Sequence, residues 1–243
     1  LSVVMGGNDI LVGGSGDDSI NGGSGWDSVD YSATLSAVSV DLSTNRAFGD
    51  GTDYIFNIEN IIGSRNGDIL SGNNLVNTIT AGEGNDTLIG RGGNDTLDGG
   101  LDSDWADYSY SSKVIVDLST VNGSATVVAG GDTDTLISIE NIIGSLNDDT
   151  MTVGSGTNTL QGNNGNDYFY ALGTNDMLDG GNGSDSVDYR SLTNNITINL
   201  NTGTGNDRLI SIENVYATAY NDSLVGNSET NLLDALAGAD TLR

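Results

Sequence analysis

One large apolar residue returns every nine positions along this chain. The series runs Leu11, Ile20, Val29, then Leu70, Ile79, Leu88, Leu97, then Met151, Leu160, Phe169, Leu178, Val187, and last Leu224, Leu233, Leu242. Ala106 is the one small member. Between these residues lie stretches rich in Gly, Asn, Asp and Ser. A period of nine is neither the 3.6-residue repeat of a helix nor the sustained alternation of a long strand. It predicts three-residue strands, each with one inward side chain, joined by six-residue turns. Two units close a coil of 18 residues, so residues 18 apart stand on one edge of neighbouring rungs, about 4.8 Å apart. The expected fold class is all-β, a parallel β-roll or β-helix solenoid.

The repeats come in arrays, at about 4–30, 63–107, 144–188 and 217–243. Three longer blocks, 31–62, 108–143 and 189–216, separate them and are themselves alike. Val29-Asp30-Tyr31, Ala106-Asp107-Tyr108 and Val187-Asp188-Tyr189 open the blocks. Alternating strands follow at Val38–Leu42, Val114–Leu118 and Ile196–Leu200. Ile58-Glu59-Asn60, Ile139-Glu140-Asn141 and Ile212-Glu213-Asn214 close them. This nesting predicts one continuous solenoid over 1–243, with the blocks as wider coils whose loops project sideways. Asn60, Asn141 and Asn214 are expected to form an inward ladder, and Trp26 and Trp105 to cover array–block junctions. Asp53, Asp134 and Asp207, in degenerate Gly-rich turns of the blocks, are expected to be ordinary turn residues.

Composition complicates the picture. One inward residue in nine contributes roughly 1.5–3 kcal/mol, against roughly 1–2 kcal/mol of backbone entropy for every residue ordered. The chain also carries 34 Asp+Glu against 7 Lys+Arg, a net charge of −27, with 36 Gly among 243 residues. Such a chain would ordinarily stay disordered, and its charge excludes nucleic acid as a partner. Bound cations resolve the conflict. Without His or Cys, the usual acyl-transfer triads and redox thiols are missing, so the expectation is not an enzyme. No run of 18 apolar residues exists, so no membrane insertion is expected. The chain begins with Leu1 and shows no signal peptide, and it reads as a piece of something longer.

The turns supply the cation chemistry. Gly13–Asn21 and Gly22–Asp30 both read G-G-x-G-x-D-x-U-x, with U large and apolar. Position six carries Asp9, Asp18, Asp27, Asp68, Asp86, Asp95, Asp104, Asp149, Asp167, Asp176, Asp185, Asp222 and Asp240. Asn77, Asn158 and Asn231 occupy the same phase with an oxygen but no charge. Carboxylates stacked at rung spacing are hard oxygen ligands of the kind calcium prefers. Val4 and Met5 replace the leading glycines of the first repeat, and Asp102 and Thr174 replace position-four glycines.

These residues resemble the RTX, or repeats-in-toxin, family of bacteria, and the blocks look like the spacers of large RTX surface proteins. The resemblance implies a β-roll that binds several calcium ions between its turns. The position-six residues would be joined as ligands by the main chain of Gly14, Gly16, Gly23, Gly25, Gly82, Gly84, Gly93, Gly100, Gly165, Gly181, Gly183 and Gly238. Same-edge pairs would be Asp9 with Asp27, Asp68 with Asp86, Asp86 with Asp104, and Asp222 with Asp240, with Asp149, Asp167 and Asp185 in one file. Asp95 and Asp176 would face Asn77 and Asn158, giving weaker sites. The resemblance further implies type I secretion to the bacterial cell surface. The expected role is a calcium-rigidified scaffold of a surface layer, filament or adhesin, with copies stacking head-to-tail. It also admits an accessory module of a secreted enzyme, of the alginate epimerase or serralysin kind, or an ice- or glycan-binding adhesin segment.

Overall fold

The computed structural model describes residues 2–3, 6–119 and 124–243. Val4 and Met5 lie outside the described residues. Every regular element described is a β-strand, most of three residues. No described helix is long and apolar enough to cross a membrane. The chain forms two compact units, 1–108 with 131–139, and 109–130 with 140–243.

In the first unit, strands 18 residues apart pair in parallel. Ser28 pairs with Ile10, Thr78 with Thr96, and Thr87 with Ile69 and Trp105. Successive repeats alternate between two sheets, so the position-eight residues meet from both sides. Ile20, Val29, Leu70, Ile79, Leu88 and Leu97 are all fully buried. The small residue Ala81, at position one, is buried with them. The second unit repeats the arrangement: Thr150 pairs with Tyr168, Tyr168 with Ser186, and Thr159 with Asn141 and Met177. Met151, Leu160, Phe169, Leu178 and Val187 fill its interior.

The spacers depart from the expected wide coil. In the first, Ser39–Asp41, Arg46–Phe48 and Thr52–Phe56 form an antiparallel meander lying within the sheet. Its outer strands join the parallel ladder, Tyr54 beside Ser19 and Ser39 beside Ile69. Asn45, at a φ of 59°, makes the reversal, a conformation Asn tolerates better than most residues. Val114–Asp117 pairs antiparallel with Ser124–Ala129, and Thr197–Asn199 with Thr204–Gly205. Hydrogen bonding two extra strands into the sheet satisfies backbone groups that a sideways loop would leave to water.

Two further expectations are corrected. Asn60 and Asn141 form no inward ladder. Each accepts from the backbone N–H one rung on, of Thr78 and Thr159, while Ile61 and Ile142 take the inward positions. Asn214 instead donates to the carbonyl of Asp185 and the hydroxyls of Ser184 and Ser186. Trp26 does not plug a junction, since it remains 51 % exposed.

Candidate metal centre

The position-six side chains lie in files, most of them buried between rungs. Within a file, Oδ1 of one member accepts the N–H of the position-six residue one rung before. The bonds from Asp9 to Asp27, Asp68 to Asp86, and Asp86 to Asp104 measure 2.8, 2.6 and 2.8 Å. Those from Asp149 to Asp167, Asp167 to Asp185, and Asp222 to Asp240 measure 2.7, 2.7 and 2.9 Å. Asn77 donates in the same way to Asp95, and Asn158 to Asp176. Every expected neighbour pair is therefore in place. All twelve glycines expected to turn their backbone have positive φ.

The files are longer than the motif suggested. Asp18 donates to Asp53, Asp95 to Asp134 and Asp176 to Asp207, at 3.0, 2.8 and 3.0 Å. Asp53, Asp134 and Asp207 are 5 %, 2 % and 2 % exposed, so they are file members and not solvated turn residues. Asp95 accordingly has a carboxylate neighbour in Asp134 besides Asn77. Glu59 and Glu213 take the same role through Oε2, accepting from Asp27 and Asp185 at 2.9 and 2.8 Å. The spacing offered a clue for the spacer aspartates, each preceded by glycines and followed two residues later by an apolar residue. Nothing local marked the glutamates.

What the second carboxylate oxygen does divides the turns into two kinds. In the closed kind, the N–H of position two donates back to it. Ser64 donates to Asp68, Ser145 to Asp149 and Thr218 to Asp222, at 2.6, 2.6 and 2.9 Å. Asn73, Gly154 and Asn227 do the same for Asn77, Asn158 and Asn231. The hydroxyls of Ser64, Ser145 and Thr218 add a further bond each. The remaining oxygen takes the N–H of Val38, Val114 or Ile196, the first residue of the adjoining spacer segment. These three carboxylates are satisfied by protein alone.

In the open kind, position two has positive φ: Gly23, Gly82, Arg91, Asn163, Gly181 and Gly203. The peptide ahead of such a residue is turned over, so its N–H faces away from the carboxylate. Oδ2 of Asp27, Asp86, Asp95, Asp167, Asp185 and Asp207 is then buried without a hydrogen bond. Asp9 and Asp176 share this state, Asp176 without a positive φ at Leu172. A buried carboxylate lacking compensation costs several kcal/mol. Burial accordingly pushes Asp95 and Asp167 up to about 7, and Asp86, Asp176 and Asp185 to about 6. The donated backbone N–H opposes this shift, and neighbouring acidic groups reinforce it.

This donor set fits a hard divalent cation. The unbonded oxygens are carboxylate, buried and stacked with like charges, so a bound calcium ion would supply the charge they lack. Among the described residues no three acidic side chains converge on one point, so main-chain oxygens of the glycine turns would complete any shell. Where position one is glycine, the turn can be too tight for a side chain. A Cβ on Gly162 would lie against Asp167 Oδ2 and 2.7 Å from the Gly180 carbonyl oxygen. Gly162→Ala is therefore expected to lower stability by about 1–3 kcal/mol. Gly13→Ala should cost less, since its closest obstacle is the flexible end of Ile20 at 3.0 Å. Denaturant melts in saturating calcium test the order, and equal losses would contradict the crowding.

A family model for the RTX calcium-binding nonapeptide repeat matches 5–33, 71–106, 152–187 and 212–242, just over half of the chain. The chain belongs to this family. No curated protein matches it as a relative. The RTX repeats are a calcium-binding structural module, typical of secreted bacterial proteins. Two of the closed aspartates, Asp68 and Asp149, fall outside the matched RTX segments, as do Asp53, Asp134 and Asp207.

Proposed function

We propose that the chain is a secreted structural solenoid that folds and stiffens on meeting extracellular calcium, as a scaffold segment of a bacterial surface layer, filament or adhesin. The observation that carries this reading is the set of buried Oδ2 atoms left without a hydrogen bond in the open turns. In the low-calcium cytosol these turns would have to bury repelling charges, so the chain stays loose. Outside, each ion at ten times its dissociation constant adds roughly 1.4 kcal/mol, and several coupled ions decide the fold. The ions would be held by Asp9, Asp27, Asp86, Asp95, Asp167, Asp176 and Asp185, with the positive-φ glycine turns beside them. Asp68, Asp149, Asp222 and the three asparagines would serve as metal-free turns. Three alike spacers, each hydrogen-bonded into a sheet, support a load-bearing role over an enzyme's accessory module.

Circular dichroism and limited proteolysis of the whole chain at neutral pH, in calcium-free buffer and in millimolar calcium, test the reading. The expected result is a protease-sensitive chain that gains β signal and resistance with calcium. An identical β spectrum and digestion pattern in both buffers would overturn it.

A further inference from the structure

Asp30, Asp107 and Asp188 each end the last strand of an array, and each is followed by a buried tyrosine. Tyr31 and Tyr108, the first two of these, donate to the spacer carboxylates of Asp53 and Asp134. The residue after the tyrosine is Ser32 in the first spacer, Ser109 in the second and Arg190 in the third. Eighteen residues before the three aspartates stand Val12, Ile89 and Tyr170. Two residues beyond the Ile-Glu-Asn segments stand Ile62, Ile143 and Tyr216. At the third spacer two aliphatic positions have become aromatic and a serine has become cationic, all together. The shared architecture does not require this, since serine, valine and isoleucine serve it in the other two.

These residues meet on the outer face of one sheet of the second unit. Tyr168 and Tyr170 flank the buried Phe169, and Tyr216 follows the buried Val215, so all three rings lie outside. Tyr170 stands beside Asp188 and Asp188 beside Tyr216, on three successive rungs. The Tyr168 ring neighbours both other tyrosines, with centroids 4.9 Å from Tyr170 and 6.0 Å from Tyr216. Arg190 lies over Tyr216, its guanidinium carbon 5.0 Å from the ring centre. It donates to Asp188 at 2.6 Å and to the Tyr168 hydroxyl at 3.1 Å. That hydroxyl donates in turn to Asp188 at 2.8 Å. The Asp188 side chain is 5 % exposed and that of Arg190 47 %, so a buried carboxylate pins an exposed guanidinium.

The patch therefore offers aromatic surface, outward N–H groups and phenolic oxygens in fixed places. Its one cation is cancelled by Asp188, so it is locally neutral within a chain of net charge −27. An anionic ligand would approach against that field. A cationic one would find the Tyr216 face already held by Arg190. An uncharged ligand with an apolar face and many hydroxyls suits both halves, its C–H groups against tyrosine and its hydroxyls on the guanidinium edge. A sugar ring has this chemistry. Pinning by Asp188 lowers the cost of ordering the long arginine side chain on binding.

We propose that Tyr168, Tyr170, Tyr216 and Arg190 form a platform that binds uncharged polysaccharide, with Asp188 as its positioning residue. None of the five is a turn carboxylate, so the platform is separate from the ion sites.

Affinity electrophoresis of the whole chain in saturating calcium, through gels holding hydroxyethylcellulose, soluble starch or galactomannan, measures the binding. Wild type is expected to be retarded in at least one of them. Tyr170→Val and Arg190→Ser install the residues found at the first spacer, Val12 and Ser32. Each is expected to lower the apparent affinity about tenfold. Tyr54→Val removes an exposed tyrosine that lies under Arg46 in the first unit, and is expected to change nothing. Circular dichroism checks that the variants fold. Should Tyr170→Val not fold, Arg190→Ser, at an exposed position, decides. Passage of wild type unretarded through all three gels, retention by polygalacturonate or polyproline in their place, or equal retardation of wild type and Arg190→Ser would overturn the platform.

Discussion

Asp167→Asn is expected to make the calcium-free chain more stable and to remove most of the response of its array to calcium. Asp149→Asn, one rung away, is expected to weaken the chain by similar amounts with and without calcium. The contrast follows from the second carboxylate oxygen. Asp167 Oδ2 is buried without a hydrogen bond, so its charge is a liability until an ion arrives. Asparagine keeps an oxygen to accept the Asp149 N–H but removes that charge. Asp149 already accepts from the Ser145 N–H and hydroxyl and from the Val114 N–H. Neutralising it weakens three charge-assisted bonds, each contributing about 1.5–3 kcal/mol. Denaturant melts of both variants in calcium-free and calcium-saturated buffer provide the measurement. If the two variants shift in parallel in both buffers, the division into open and closed turns is wrong.

Without calcium, the chain is expected to be most stable near pH 4 and to lose stability steadily towards pH 7 and above. The carboxyls of Asp86, Asp95, Asp167, Asp176 and Asp185 are raised in the folded chain to about 6 or 7, with burial as the largest cause. A group whose folded pKa lies above its unfolded value binds its proton more tightly when folded. Its contribution is complete below the unfolded value, about 4, and vanishes as pH rises through the folded value. Asp188 opposes this trend. Its burial is outweighed by Arg190 and the Tyr168 hydroxyl, which hold it below the usual carboxylate range. Burial also raises Asp98, Asp134, Asp149 and Asp207, so one lowered group does not reverse the sign. Saturating calcium should invert the profile, because protons and ions compete for the same oxygens. Thermal melts at pH 4.5 and pH 8, each with and without calcium, give four values. A calcium-free chain more stable at pH 8 than at pH 4.5 would refute the argument.

Much of this molecule was written in its period. The nine-residue spacing of Leu70, Ile79, Leu88 and Leu97 implied short strands alternating between two faces, and all four side chains are buried where that spacing put them. The 18-residue stacking of Asp149, Asp167 and Asp185 followed from the same arithmetic. Local chemistry sufficed there because each repeat contacts mainly its like one coil away.

The state of each turn was a different matter. Asn occupies position two in both kinds, with positive φ at Asn163 and without it at Asn73 and Asn227. Arg91 holds a φ of 73° that no propensity would assign to arginine. Its guanidinium is held there by the Ser71 hydroxyl and Asp41, 20 and 50 residues away. The glutamates and spacer aspartates stand in the files because the spacer strands are hydrogen-bonded into the sheets. A nonapeptide sets which oxygen is offered at each rung. Whether that oxygen meets a backbone N–H, a phenol or nothing depends on the peptide orientation and side chains that neighbouring rungs impose, and those exist only after the coils have stacked.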